Sequence, residues 1–135
     1  ARANQQVSGL ESLAIRWILD DAVKFVQREQ RRNSLYDGII LDPPKFGRGP
    51  KGEVWEFYKF LPHLLDTCRS ILTQNPLFIQ LTAYAVKASA ITLFYALREM
   101  MSSFNGVTTA GEIGLAEISK GRYLSTAIFA RWQAN

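Results

Sequence analysis

The sequence predicts an α/β domain: a mostly parallel sheet that ends in an antiparallel hairpin. Three observations predict it. Short apolar runs alternate with amphipathic stretches along the chain. Polar or imino residues suited to strand ends and helix caps punctuate them. The last thirty residues change character, with two strand-like runs and no helical stretch between them.

Each element follows in order. Residues 1–9 read as the end of a helix closed by Ser8-Gly9. Ala14 to Leu19 is a short apolar run with β-branched and aromatic bias, which predicts a strand. Asp20-Asp21 are placed to cap a helix carrying Ala22, Val23, Phe25 and Val26 on one face. That helix ends in basic residues and Asn33. Tyr36 to Leu41 is a strand that stops at Asp42-Pro43-Pro44, because prolines cannot continue a central ladder. Gly47 to Gly52 reads as a glycine-rich loop. Leu61, Leu64, Leu65, Cys68, Ile71 and Leu72 form a helical stripe, with Pro62 expected in the first turn. Asn75-Pro76 precedes a strand at Leu77 to Leu81. Ser89 is expected to cap a helix with Ala90, Leu93, Phe94, Leu97, Met100 and Met101 inward, ended by Asn105-Gly106. Thr108 to Ile118 and Tyr123 to Trp132 then form a hairpin through Ser119-Lys120-Gly121-Arg122.

Composition bounds the function classes. The 135 residues fit one compact domain, and 47% are apolar, enough for a core. No apolar run approaches the roughly 18 residues of a membrane span. No charged-then-apolar leader pattern opens the chain. Cys68 is the single cysteine, so no internal disulfide forms, and a reducing, cytoplasmic setting is expected. With one histidine and one cysteine, no metal site is expected. The net charge of +4 is mildly basic and is compatible with a nucleic-acid partner without requiring one. Lys24, Arg28, Arg31 and Arg32 read as solvated charge near a helix end. Lys45, Arg48 and Lys51 lie beside the most informative motif.

That motif is Tyr36-Asp37-Gly38-Ile39-Ile40-Leu41-Asp42-Pro43-Pro44-Lys45-Phe46. Ligands of open parallel sheets sit beyond the carboxyl ends of the strands, where Asp42 lies. The Asp-Pro-Pro element after an apolar strand resembles motif IV of class I S-adenosylmethionine-dependent methyltransferases. The longer run Asp42-Pro43-Pro44-Lys45-Phe46-Gly47-Arg48-Gly49 resembles the bacterial ribosomal-RNA methyltransferase-like group. The terminal hairpin matches as well, since that fold ends in an antiparallel strand slotted beside its parallel ones.

The resemblance implies a three-layer α/β/α Rossmann-like fold with S-adenosyl-L-methionine as cofactor. It implies that Asp42, Pro43 and Pro44 orient the acceptor. It also implies that Asp21 with Ala22, or the neighbouring Asp20, meets the adenine, with Asp42 also on the cofactor side. Lys45 and Arg48 would hold phosphate, with Phe46 or Tyr84 stacking on the acceptor. Ribosomal RNA is the implied partner, with a base nitrogen as acceptor. Membrane and metal are not implied, and the oligomeric state stays open, a homodimer included. The family's glycine-rich loop and ribose-binding acid belong upstream of Ala1. Residues 1–135 are therefore expected to be a partial domain, lacking the first two strands and binding cofactor poorly alone.

Two decoys are set aside. Gly47-Arg48-Gly49-Pro50-Lys51-Gly52 matches G-x-G-x-x-G as a string, but it does not open a helix directly after its strand. Its amides, Arg48 or Lys51 are instead expected to meet phosphate. Cys68 sits on an apolar helical stripe and reads as core. In the related carbon-5 enzymes a cysteine follows the fifth strand, where this chain has Leu81-Thr82-Ala83-Tyr84. His63 reads as a surface or capping residue. Trp55, Phe57, Tyr58 and Phe60 read mainly as core or helix-entry packing. Two alternatives remain: a methyltransferase acting on a small molecule or protein, and a non-catalytic truncated α/β module.

Overall fold

The structure, a computed structural model, describes residues 1–49 and 52–135. Helix α1 (Arg2–Val7) ends at Ser8, and Gly9 turns the chain with φ +65°. Residues 14–19 are not a strand. Among the described residues no strand offers them a ladder, so their β bias has nothing to pair with. Side chains hold the segment instead. Trp17 Nε1 donates to Gln5 Oε1 at 2.8 Å, and Gln5 Nε2 donates to the Leu10 carbonyl at 3.0 Å.

Helix α2 (Ala22–Arg31) starts where Asp21 accepts from the Lys24 amide at 2.9 Å, as expected of an N-cap. Arg28 and Arg31 lie in its last turn, where cations suit the dipole. Asn33 closes it with φ +54°. Strand β1 (Gly38–Leu41) follows, with Tyr36 bridging separately to Leu72.

The glycine-rich segment contains an antiparallel pair, β2 (Phe46–Arg48) and β3 (Val54–Glu56), rather than a plain loop. Gly52, with φ +84°, donates to the Gly49 carbonyl at 3.2 Å and turns the chain without a Cβ penalty. Pro50 and Lys51 lie outside the described residues. Helix α3 (Phe57–Ser70) begins directly after β3, so Pro62 lies beyond its first turn. It therefore has no N–H to give to the Tyr58 carbonyl one turn earlier.

Strand β4 (Phe78–Ala83), helix α4 (Ala90–Met100) and the hairpin β5 (Gly106–Ala116) and β6 (Tyr123–Ala134) complete the chain. Ser89 stands at the N-cap of α4, but its hydroxyl faces Thr92 Oγ1 at 3.3 Å instead of an amide. At Gly106 a Cβ would run into the Trp132 ring and the Gln133 carbonyl, so only glycine fits there.

The sheet order is β1-β4-β6-β5. β1 and β4 are parallel, while β6 is antiparallel to both β4 and β5. The terminal strand is thus slotted between two that run the same way. In β4, Ile79, Leu81 and Ala83 are fully buried and the alternate residues are not. One apolar cluster joins them to Val26 of α2, Leu61, Leu64 and Cys68 of α3, Leu93 and Leu97 of α4, and Trp132 of β6. The three helices therefore share one face of the sheet. The opposite face carries Phe78, with the Arg131 guanidinium 5.9 Å above its ring. Sheet and one helix layer of the expected three lie among the described residues.

Candidate active-site rim

Because β1 and β4 run parallel, their carboxyl ends open on the same rim. Asp42 follows Leu41 at that rim, and Tyr84 follows Ala83. Helix α2 packs on α3, and its N-terminus, with Asp20, Asp21 and Ala22, is tied to the hairpin that follows β1. A direct link supports this placement: Lys24 Nζ in the first turn of α2 lies 2.6 Å from Glu53 Oε1, just before β3. Of the ten sequence-predicted positions, Asp42 to Phe46, Arg48 and Tyr84 follow the carboxyl ends of β1 and β4, and Asp20 to Ala22 are tied to the same hairpin through Lys24 and Glu53.

Asp42 is exposed, and among the described residues its carboxylate makes no hydrogen bond or ion pair. Pro43 is buried and fixes the turn. The Pro44 carbonyl accepts from Trp55 Nε1 at 2.6 Å, which ties the turn to β3. Trp55 in turn stacks on Phe60 with ring centroids 5.9 Å apart. The tripeptide is thus braced from the hairpin while its carboxylate stays open.

The two acidic residues before α2 differ. Asp20 is engaged by Arg28 at 2.7 Å and by the Asp21 amide at 2.9 Å. The Arg28 hydrogen bond is the main cause holding its carboxyl below the ordinary range. Asp21 spends one oxygen, Oδ1, on the Lys24 amide. Its other oxygen has no partner among the described residues, and the Ala22 amide, first in the helix, has no intrahelical acceptor. An acceptor beside a donor suits the amino group and adjacent ring nitrogen of an adenine. The residues present therefore fit the adenine end of S-adenosylmethionine.

Lys45 and Phe46 line a cavity of about 460 Å³ together with Glu56, Phe57, Tyr58 and Lys59. Arg48 lies over the Phe46 ring at 5.8 Å. Tyr84 is exposed, and the next residue, Ala85, takes φ +54°, an uncommon conformation for a side chain with Cβ. The predicted phosphate contact Lys51 lies outside the described residues.

Of the basic cluster in α2, Lys24, Arg28 and Arg32 are paired to Glu53, Asp20 and Glu29. They act as struts more than as free charge. His63 is exposed and lies 3.3 Å from Gln27 Nε2. Cys68 is fully buried in α3, and burial pushes its thiol up to about 12. Among the described residues no cluster able to hold a metal ion occurs. Among the described residues no helix is long and apolar enough to cross a membrane.

Glu56 and Lys59 were not among the residues expected near this turn, and Tyr58, aromatic enough to stack a base, was read mainly as packing. The signal was present in the alternation of Phe46-Gly47-Arg48 and Val54-Trp55-Glu56 about a glycine-rich turn. Hairpin pairing sets Glu56 directly across from Phe46.

The strand order, with its terminal antiparallel strand in place, is the Rossmann-like fold seen in methyltransferases. The chain is 47% identical to a SAM-dependent methyltransferase from Agrobacterium tumefaciens, with TM-score 0.91, covering 99% of this chain and 44% of that one. A chain described as a methyltransferase and solved with SAH superposes with TM-score 0.71 at 18% identity, over 97% of this chain and 35% of that one. Over 83 residues, 62% of the chain is 29% identical to ribosomal RNA large subunit methyltransferase I of Aeromonas hydrophila, matching 18% of that protein. The chain thus spans less than half the length of each of these proteins. No protein family profile matches it.

Proposed function

We propose that residues 1–135 form the acceptor side and the adenine side of an S-adenosylmethionine-dependent methyltransferase that modifies a base of ribosomal RNA at a nitrogen. On this reading the first two strands, the glycine-rich loop and the ribose-binding acid lie upstream in a longer domain. The observation that carries the proposal is the open Asp42 carboxylate on a braced Pro43-Pro44 turn, tied through the hairpin to the N-terminus of α2. The Agrobacterium relative supports the reaction type, and the Aeromonas relative supports an RNA substrate.

S-adenosylmethionine, when bound, supplies an electrophilic methyl group on sulfur. The unused oxygen of Asp21 and the Ala22 amide hold the adenine edge. Asp42 would accept a hydrogen bond from the acceptor's N–H and so orient its nitrogen toward the methyl group. Bond formation at the nitrogen would be matched by loss of the methyl–sulfur bond, with S-adenosylhomocysteine as the leaving group and the nitrogen's proton passing to Asp42 or to water. Phe46 and Tyr84 stack on the base, and Lys45 and Arg48 meet flanking phosphates. A base held in a duplex must first be flipped out. Most of the rate gain expected of such a site comes from alignment and water exclusion. Nitrogen rather than carbon-5 chemistry is favoured because Leu81-Thr82-Ala83-Tyr84 offers no thiolate and Cys68 is sealed in the core.

Isothermal titration with S-adenosylhomocysteine tests the reading. A protein extended upstream through the glycine-rich loop should bind it at micromolar concentrations or below, and residues 1–135 alone should bind far more weakly. Absence of heat with the extended protein overturns the proposal.

A further inference from the structure

The cavity beside the Asp42 turn has a floor, two aromatic edges, two cations and one carboxylate. Buried Phe57 forms the floor and meets Tyr58 edge to face, with ring centroids 5.4 Å apart. Phe46 and Tyr58 line it with about half of each residue exposed, at 51% and 54%. Lys45 and Lys59 flank it, and neither forms an ion pair among the described residues. Glu56 lies directly across the hairpin from Phe46, on the same face. It occupies the N-cap position of α3, yet its side chain makes no capping hydrogen bond. Its carboxylate has no hydrogen bond or ion pair among the described residues. At about 460 Å³ the cavity lies within the range of small-molecule sites.

We propose that this cavity selects a guanine base that flanks the methylated one in the RNA, stacked on Tyr58 beside Phe46, with Glu56 reading its Watson–Crick edge. This deepens the methyl-transfer reading and rests on it for the nature of the substrate.

Recognition in this cavity turns on donors and acceptors. A carboxylate only accepts. Guanine alone among the four bases presents two adjacent donors on that edge, a ring N–H and an exocyclic amino group, which match the two carboxylate oxygens. Adenine and cytosine set one amino group beside a bare ring nitrogen, whose lone pair repels a carboxylate. Uracil flanks its single N–H with two carbonyls. The rings supply stacking that every base shares, and the lysines supply phosphate contacts that every nucleotide shares. Glu56 is the group in the cavity that distinguishes bases.

The test is titration of the upstream-extended protein with GMP, AMP, CMP and UMP, beside S-adenosylhomocysteine as a separate arm. GMP should bind about 10-fold more tightly than the other three, the discrimination expected of a two-bond base contact. Inosine monophosphate keeps the ring N–H and lacks the amino group, so it should fall between GMP and AMP. Glu56→Ala should remove the preference and leave a common affinity. Glu56→Gln, which preserves side-chain shape, should reduce it and guards against a folding defect. Lys59→Ala should weaken all four nucleotides by a similar factor. Equal affinities for the four nucleotides, or a GMP preference that survives both Glu56 variants, overturn the assignment. Cofactor binding without a guanine preference overturns this inference alone. A guanine preference without cofactor binding overturns the methyl-transfer reading and leaves the role of Glu56 standing.

Discussion

Asp42 sits where the chain leaves a parallel ladder and meets two imino acids that fix its direction. The turn is held from the side by Trp55, so the carboxylate is positioned without being consumed. Cys68 shows the opposite case. It is fully buried on α3, and its thiol is pushed up to about 12 by burial alone. In the folded protein at pH 8 it should resist alkylation by iodoacetamide, and it should react promptly in denaturant. Fast alkylation under native conditions would remove Cys68 from the core. Both residues were legible in the sequence, one from Pro43-Pro44 after an apolar run, the other from its place on a helical stripe. The place of Glu56 beside Phe46 was not legible, because it comes from pairing across the hairpin, and cross-strand pairing is a non-local fact.

The same contrast holds for whole elements. Helices α2, α3 and α4 and the terminal hairpin were legible because periodicity and turn residues agree, reinforced at α2 by the Asp21 cap. Residues 14–19 have strand composition but no ladder among the described residues, and composition alone cannot supply one. The start of α3 was misjudged because Pro62 usually marks a first turn. Here the anchor is Phe57, buried and bonded through its amide to the Lys45 carbonyl at 3.0 Å. Strand β4 carries the packing that holds both parallel crossovers together. Leu81→Ala, at a fully buried position, should cost about 3 kcal/mol in urea unfolding, through lost burial and the cavity left behind. Leu115→Ala, exposed on the hairpin, should stay within about 0.5 kcal/mol. Equal losses at the two positions would contradict the assignment of the core.

For the molecule as a whole, charge and topology act together. Three carboxylates tie together separate parts of the fold and are held below their ordinary range. Asp20 is held by Arg28 before α2. Buried Glu29 is held first by the Tyr36 hydroxyl, which joins α2 to the approach to β1. Glu117 is held by Arg122 across the hairpin turn. Because their folded values are depressed, their contribution to stability is fully present above the ordinary carboxylate values, about pH 4, and is lost as pH falls through the folded values below that. Thermal midpoints should therefore change little from pH 7 to 5 and drop steeply below about pH 4. Glu29→Gln should reduce that drop. A midpoint flat to pH 3 would contradict these links.

On the proposed reading, the rim bearing Asp42 delivers an RNA nitrogen to a methyl donor. The most direct measurement is transfer of a labelled methyl group from S-adenosylmethionine to unmodified large-subunit ribosomal RNA by the upstream-extended protein. The native sequence should label one nucleotide stoichiometrically. Asp42→Ala should lower transfer by at least about 100-fold, the scale of a removed proton-accepting group, without a change in thermal midpoint. Undiminished transfer by the Asp42→Ala protein would contradict the proposed reading.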